Sequence, residues 1–477
     1  MNVQPFAGRL RAIVALLFAC LVPAGAVGNE SSRSDWPQFL GPRANGTADE
    51  TGLLDRWPTN GPPLVWEKRI GTGYSAPSVR GNQLVLHHRI GDEEIVESFE
   101  ADTGKSLWRY AYPSKFIDPY GYNNGPRCTP LLTTNRCYTF GAEGKLLCLE
   151  LATGRRIWER DTARDWDVPE AFFGVGSTPI LEGDLLIVMI GGQPNSGVVA
   201  FNAQSGQTIW ENVGQKNWQG QPMIGWPGER KVNWMTHWKQ ASYSSPVAAT
   251  IHGQRHLLCL MRQGLLSLDP LSGAVNFSRW FCSTANESVN AANPLVVDDL
   301  VFISAAYYRV GSALLRVNKD GKSFTEVWRS PRELREMDLA TGRPVSPVLE
   351  MHWSTPIYHD GYLYALSGRN EPDARFRCVE LKTGKLRWDR DESWRTRGGT
   401  QPPVYGRGSM IMADGKLIVL GEGGLLGLFR VNPDQSDELA RFQMPQLKYP
   451  CWTAPILAHK RLYLRSEERL ICLDLAK

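Results

Sequence analysis

Along most of this chain apolar and polar residues follow one another in short runs with the period of strands, broken every few residues by glycine, proline, asparagine or aspartate. One unit recurs. After the strand pattern of Lys145 to Leu149 comes Glu150-Leu-Ala-Thr-Gly154-Arg-Arg-Ile-Trp158, and the same grammar runs through Ala101 to Trp108, Asn202 to Trp210 and Glu380 to Trp388. In each copy a Thr/Ser-Gly pair supplies a tight turn and a tryptophan follows the glycine at a fixed distance. Strands on both sides of the turn make each copy a hairpin with one large apolar anchor, which needs a neighbour to bury it. Two looser copies, Gly273 to Trp280 and Gly321 to Trp328, carry three extra residues between glycine and tryptophan.

A second repeated feature counts the units. A small or polar residue before proline opens a strand at Ser75-Ala76-Pro77, Cys128-Thr129-Pro130, Ser177-Thr178-Pro179, Ser244-Ser245-Pro246, Ala292-Asn293-Pro294, Ser354-Thr355-Pro356 and Thr453-Ala454-Pro455. The gap from Pro356 to Pro455 is nearly double the others, and Gly408-Ser409-Met410 begins a unit there that lacks its proline. Eight units of four short antiparallel strands predict an all-β chain folded as an eight-bladed β-propeller. The eighth unit has only three strands, Ala454 to Leu457, Arg461 to Arg465 and Leu470 to Leu473. The isolated strand Leu64 to Arg69 is expected to complete it and close the ring, which removes two sheet edges at once.

Composition changes this picture little. The 477 residues are 42% hydrophobic and 21% charged, with 17 tryptophans and a formal net charge of +4. No basic tract points to nucleic acid. At the N-terminus Arg9 and Arg11 precede an apolar run, Ala12 to Val22, that is short for a permanent membrane span and reads as an export signal cleaved after Ala24-Gly25-Ala26. Leu17-Phe18-Ala19-Cys20 offers a competing reading as a lipoprotein signal with a lipid anchor at Cys20, against which the bulk of Phe18 counts. Either way the protein is expected to be exported, to periplasm or exterior, and no other segment is long and apolar enough to be a transmembrane span. The expected division is a signal over 1–26, an extended N-terminal arm over 27–63 and a single propeller over 64–477. The arm is expected to lie outside the blades, anchored by Trp36, Phe39 and Trp57.

The Ala/Asp-x-x-Thr-Gly-x-x-x-Trp unit resembles the repeat of the pyrroloquinoline quinone (PQQ) type β-propellers, which include quinoprotein alcohol dehydrogenases and the outer-membrane assembly lipoprotein BamB. The resemblance covers nearly the whole mature chain. It implies that Trp66, Trp108, Trp158, Trp210, Trp280, Trp328 and Trp388 girdle the ring by docking on the next blade. For an enzyme of this kind it also implies PQQ in the central funnel, a calcium ion held by carboxylate and amide oxygens, and an aspartate base. The residues do not supply these locally. There is no adjacent cysteine pair and no Asp-x-Asn-x-Asp loop, and Asp118, Glu170, Glu371 and Glu422 are scattered over separate blades, where they read as solvated loop carboxylates. The eight histidines show no metal spacing, and His87 and His88 face opposite ways on one strand. No catalytic residue and no metal ligand is assignable. Eight cysteines would remain after cleavage, and Cys137 and Cys148 would face each other if their turn centred on Ala142-Glu143.

The remaining signal is on one face. Links between blades and loops between second and third strands emerge on the same side, and here they are aromatic: Glu211 to Ser242 holds Trp218, Trp226, Trp234, His237, Trp238 and Lys239, and Tyr110 to Arg127 holds Tyr112, Phe116, Tyr120 and Tyr122. Topology places Arg127, Arg369 and Arg407 near the channel mouth on that face, flanked by Tyr74, Trp353 and Trp452. Three guanidinium groups beside stacking surfaces suggest a site for a small acidic ligand. Two readings follow: a non-catalytic binding or scaffold propeller whose partner is an envelope protein or small ligand, and a PQQ-dependent oxidoreductase acting on alcohols or sugars.

Overall fold

The computed structural model describes residue 1 and residues 35–477, except 167, 169–172, 192–196, 213–222, 225–231, 234–241, 284–287, 332–336, 341 and 395–402. The proposed signal and Cys20 therefore lie outside the described residues, as do Glu170 and Trp218, Trp226, Trp234, His237, Trp238 and Lys239 of the aromatic link. Eight four-stranded antiparallel sheets are arranged as the blades of a propeller, with little helix. Blade one is typical: Ser78–Arg80 lies at the channel, followed outward by Gln83–Ile90, Glu93–Glu100 and Ser106–Pro113. The middle strands of each blade are buried on both faces, because the blade on either side covers them. Tyr138, Phe140, Leu146 and Cys148 of blade two thus form one cluster with Leu186, Val188, Val199 and Phe201 of blade three. Each such side chain removed from water contributes roughly 1.5–3 kcal/mol.

The recurrent tryptophan works through a bulge. In the outer strand of blade one the register slips between Ser98 and Phe99, so that Trp108 follows the bulged residue and is turned toward the next blade. Its indole N–H donates to the carbonyl of Leu151 at 2.8 Å, and its ring covers Gly154 of the next turn so closely that a Cβ there would sit 2.4 Å from it. Trp66, Trp158, Trp210, Trp328 and Trp388 dock in the same way, donating to the carbonyls of Ala101, Ala203, Pro270, Leu381 and Asn432. Trp280 does not take this place. In blade four the residue after the bulge is Phe277, which packs on Phe324 of blade five with ring centroids 5.4 Å apart.

The residue before proline also has a structural task. The backbone N–H of Thr129 donates to the Thr178 hydroxyl, that of Thr178 to Ser245, that of Ser245 to the Asn293 side-chain oxygen, and that of Asn293 to Thr355. A belt of hydrogen bonds thereby ties the inner strands of blades two to six, one blade to the next.

Blade eight is closed as the pattern predicts. Leu64–Arg69 pairs antiparallel with Arg469–Asp474, Trp66 opposite Cys472. The arm before it departs from expectation, because it enters the channel instead of lying outside the blades. Trp36 bridges Val79 on the channel edge of blade one, the Pro37 carbonyl accepts from Leu132 of blade two, and Thr47 bridges Met412 of blade seven. From there the chain runs outward beneath blades seven and eight, where Leu53 bridges Ala476 and Trp57 is buried, to the start of the closing strand. These contacts satisfy backbone groups that an innermost strand would otherwise leave unpaired.

The cysteine pair is a second departure. Phe140 pairs with Leu146, so Cys137 lies opposite Leu149 and Cys148 opposite Tyr138. The register is one residue from the expected one, and such a slip sends the two thiols to opposite faces of the sheet. Cys137 packs toward blade one and Cys148 toward blade three. All eight described cysteines are free and buried. Burial pushes the Cys148 thiol up to about 12 and that of Cys137 well above its ordinary value.

Two outcomes are expected. Deleting Leu64 to Arg69 prevents cooperative folding, whereas Trp36→Ala, which empties a site with 1% exposure, lowers stability by about 3–5 kcal/mol; chemical denaturation followed by fluorescence measures both. Alkylation under non-reducing, denaturing conditions with mass mapping finds Cys137 and Cys148 as free thiols.

Candidate binding site

Where the links converge, the channel opens into a cavity of about 300 Å³ lined by residues from most of the blades. Its wall is aromatic because four of the links carry a ring where they enter an inner strand beside the channel. Tyr74, Tyr243, Trp353 and Trp452 stand just before the inner strands of blades one, four, six and eight. Trp452 is the hub: ring centroids of Trp353, Tyr74, Tyr122 and Tyr449 lie 5.1, 5.2, 5.6 and 5.8 Å from its own, all tilted or edge-on. Phe39 and Leu40 of the arm also line the cavity. Leu40 has φ +59°, a left-handed conformation unusual for leucine, and its carbonyl accepts from Gly46 N–H at 2.8 Å.

The arginines expected here are brought together, but two of them already have carboxylate partners. Arg127 donates through Nη2 to Asp118 Oδ2 at 2.8 Å and through its two terminal nitrogens to the carbonyls of Gly125 and Asn123. Asp118 is fully buried and also accepts from the backbone N–H groups of Tyr120 and Asn123. Arg407 donates through Nη2 to Glu422 Oε2 at 3.0 Å and through Nη1 to the carbonyl of Arg369 at 2.9 Å. Glu422, also fully buried, accepts in addition from Arg407 N–H at 3.0 Å and from Trp452 Nε1 at 2.9 Å. The sequence reading of Asp118 and Glu422 as solvated loop carboxylates is therefore corrected: each is an internal counter-ion that organises a link. Both arginines line the cavity. Arg369 stands at its edge, with its guanidinium 4.6 Å from the ring centres of both Tyr307 and Tyr308.

Guanidinium groups thus cover several of the ring faces. Arg407 lies 4.9 Å from Trp353 and 5.7 Å from Trp452, and Arg127 lies 5.5 to 5.9 Å from Tyr74, Phe116 and Phe173. His352, whose Nε2 is 3.2 Å from the Tyr307 hydroxyl, is held neutral: burial, then Arg407 and Arg369, lower its pKa to about 3. Tyr74 donates to Glu467 Oε1 at 2.9 Å, and burial followed by that carboxylate raises its pKa well above the ordinary value. Sequence reasoning missed Phe173, Tyr243, Tyr307, His352 and Tyr449 as lining residues. Three of them, Phe173, Tyr243 and His352, precede or sit beside the repeated small-residue–proline step, which was the available signal.

Comparison with known proteins agrees with the architecture. The family model described as "Outer membrane protein assembly factor BamB" matches residues 49–225, from the arm through blade three. No curated protein matches the chain. Among solved structures, BamB from Moraxella catarrhalis is similar at 15% identity and a TM-score of 0.55, over 86% of this chain and 97% of that one. The quinohemoprotein alcohol dehydrogenase from Comamonas testosteroni is similar at 12% identity and a TM-score of 0.61, over 94% of this chain and 82% of that one. A europium-containing methanol dehydrogenase is similar at 11% identity and a TM-score of 0.57, over 91% of this chain and 89% of that one. At these identities the likeness is one of fold. The chain is an eight-bladed β-propeller that matches the BamB family model over residues 49–225 and shares its architecture with both BamB and the quinoprotein alcohol dehydrogenases.

Proposed function

We propose that this chain is a non-catalytic, exported binding or scaffold propeller of the bacterial envelope that uses the aromatic mouth of its channel. The observation that carries this reading is the internal pairing of the mouth. PQQ is a tricarboxylate whose binding with calcium calls for cations free to meet its carboxylates and for protein oxygens free to meet the metal. Here the guanidinium groups of Arg127 and Arg407 are held by Asp118 and Glu422. Those carboxylates in turn spend their oxygens on backbone and indole N–H groups. Opening either pair would leave a buried charge without its partner, at a cost of about 3–5 kcal/mol. The donor chemistry of the mouth does not fit a calcium-bound quinone. Among the described residues, no three of His, Cys, Asp or Glu cluster so as to hold a metal ion.

Export to the envelope is part of the proposal and is supported by the N-terminal sequence pattern and by the family model's description. Small-ligand capture and docking of an envelope protein both suit such a mouth.

The test is reconstitution. Mature protein incubated with PQQ and calcium is expected to show no dye-linked oxidation of alcohols or sugars, no retained quinone absorbance after gel filtration and no change in melting temperature. Stoichiometric retention of quinone together with substrate-dependent dye reduction would establish the oxidoreductase instead.

A further inference from the structure

Resting on the non-catalytic reading, the charge balance of the mouth narrows the chemical class of ligand. Within the cavity, an anionic ligand would have to displace Asp118 or Glu422 from the guanidinium groups of Arg127 and Arg407, which they already neutralise at 2.8 and 3.0 Å, while Arg369 stands at the edge over Tyr307 and Tyr308. A cationic ligand, for which clustered aromatic faces are otherwise well suited, would meet three guanidinium groups lying over those faces. The remaining chemistry is neutral: tilted ring surfaces around Trp452, the half-exposed ring of Tyr449, and hydroxyl and amide groups of Ser354, Ser409 and Asn370. A volume of about 300 Å³ stands at the lower end of ligand pockets, which run from roughly 300 to 1,000 Å³, and suits a ring-sized group.

A pyranose ring matches each of these properties. Its C–H face is apolar and flat enough to lie on an indole or phenol ring, while its edge carries hydroxyls that accept and donate without net charge. We propose that the aromatic mouth binds a neutral sugar residue of a glycan, seated against Trp353 and Trp452, with its hydroxyls meeting Ser354, Ser409 and Asn370 and the arm residues Phe39 and Leu40 shaping the cavity beneath it.

The experiment titrates the full mature chain with neutral trisaccharides, namely maltotriose, cellotriose, laminaritriose and chitotriose, up to about 10 mM, read by tryptophan fluorescence and calorimetry. At least one is expected to bind, with an affinity that changes less than about twofold between low and high salt, because no ion pair forms. Tyr449→Ala, at a ring 47% exposed, and Trp353→Ala are each expected to weaken binding by at least about tenfold. Trp353→Phe, which keeps a ring at that place, is expected to bind more tightly than Trp353→Ala while retaining the wild-type melting curve. Absence of binding by all four sugars overturns the inference, as does binding indifferent to both Tyr449→Ala and Trp353→Ala. So does a trimer of uronic acids that binds more than about tenfold tighter than its neutral counterpart. None of these results bears on the quinone reconstitution, so this inference and the non-catalytic reading fail separately.

Discussion

A four-stranded blade cannot cover its own two faces, and everything else in this protein follows from that. Each blade needs a neighbour on both sides, so the chain is stable only as a complete ring. At five of the eight joints a bulged outer strand turns an indole, that of Trp66, Trp108, Trp158, Trp210 or Trp328, onto the glycine turn of the next blade and gives its N–H the carbonyl beside that turn. Close contact there demands glycine, as at Gly104, where a Cβ would lie 2.9 Å from Trp66 and φ is +69°. That contact joins the closing strand of blade eight to blade one, so the last joint of the ring uses the same device as those made by Trp108, Trp158, Trp210 and Trp328.

The inner circumference is held differently in two sectors. Blades two to six are tied by the belt from Thr129 to Thr355. Blades one and eight have alanine at the corresponding step, Ala76 and Ala454, and blade seven lacks the step altogether. The N-terminal arm serves this second sector, pairing with blades one and seven and packing beneath blade eight. One continuous segment thereby holds the channel edge, crosses the lower face and supplies the outermost strand of blade eight.

Much of this was legible because it depends on local rules. Thr-Gly turns, the residue before proline and a unit one strand short are each readable from a few residues, and together they gave the blade count and the closing strand Leu64–Arg69. What escaped depends on register or on contacts between distant segments. Phe277, and not Trp280, is turned to the neighbour because it follows the bulge; it also stands four residues after Gly273, the spacing of the regular copies, so the tryptophan three residues on masked the correct position. Cys137 and Cys148 part because the hairpin pairs Phe140 with Leu146. The arm enters the channel through single bridges that no periodicity announces. At the mouth, topology placed Arg127, Arg369 and Arg407 together, yet Asp118 and Glu422 became counter-ions only through the fold of their loops, which sequence spacing does not encode.

The account of the mouth depends on Arg127 and Arg407 being neutralised from within, and a double-mutant cycle between Arg407 and Glu422 measures this most directly. Stabilities of the wild type, Arg407→Ala, Glu422→Ala and the double variant are compared by denaturant unfolding. Internal pairing predicts that either single change is strongly destabilising and that the double variant loses much less than their sum, with a coupling of about 2 kcal/mol or more. Additive losses, with a coupling near zero, would show that Arg407 is available to an outside anion and would contradict the account.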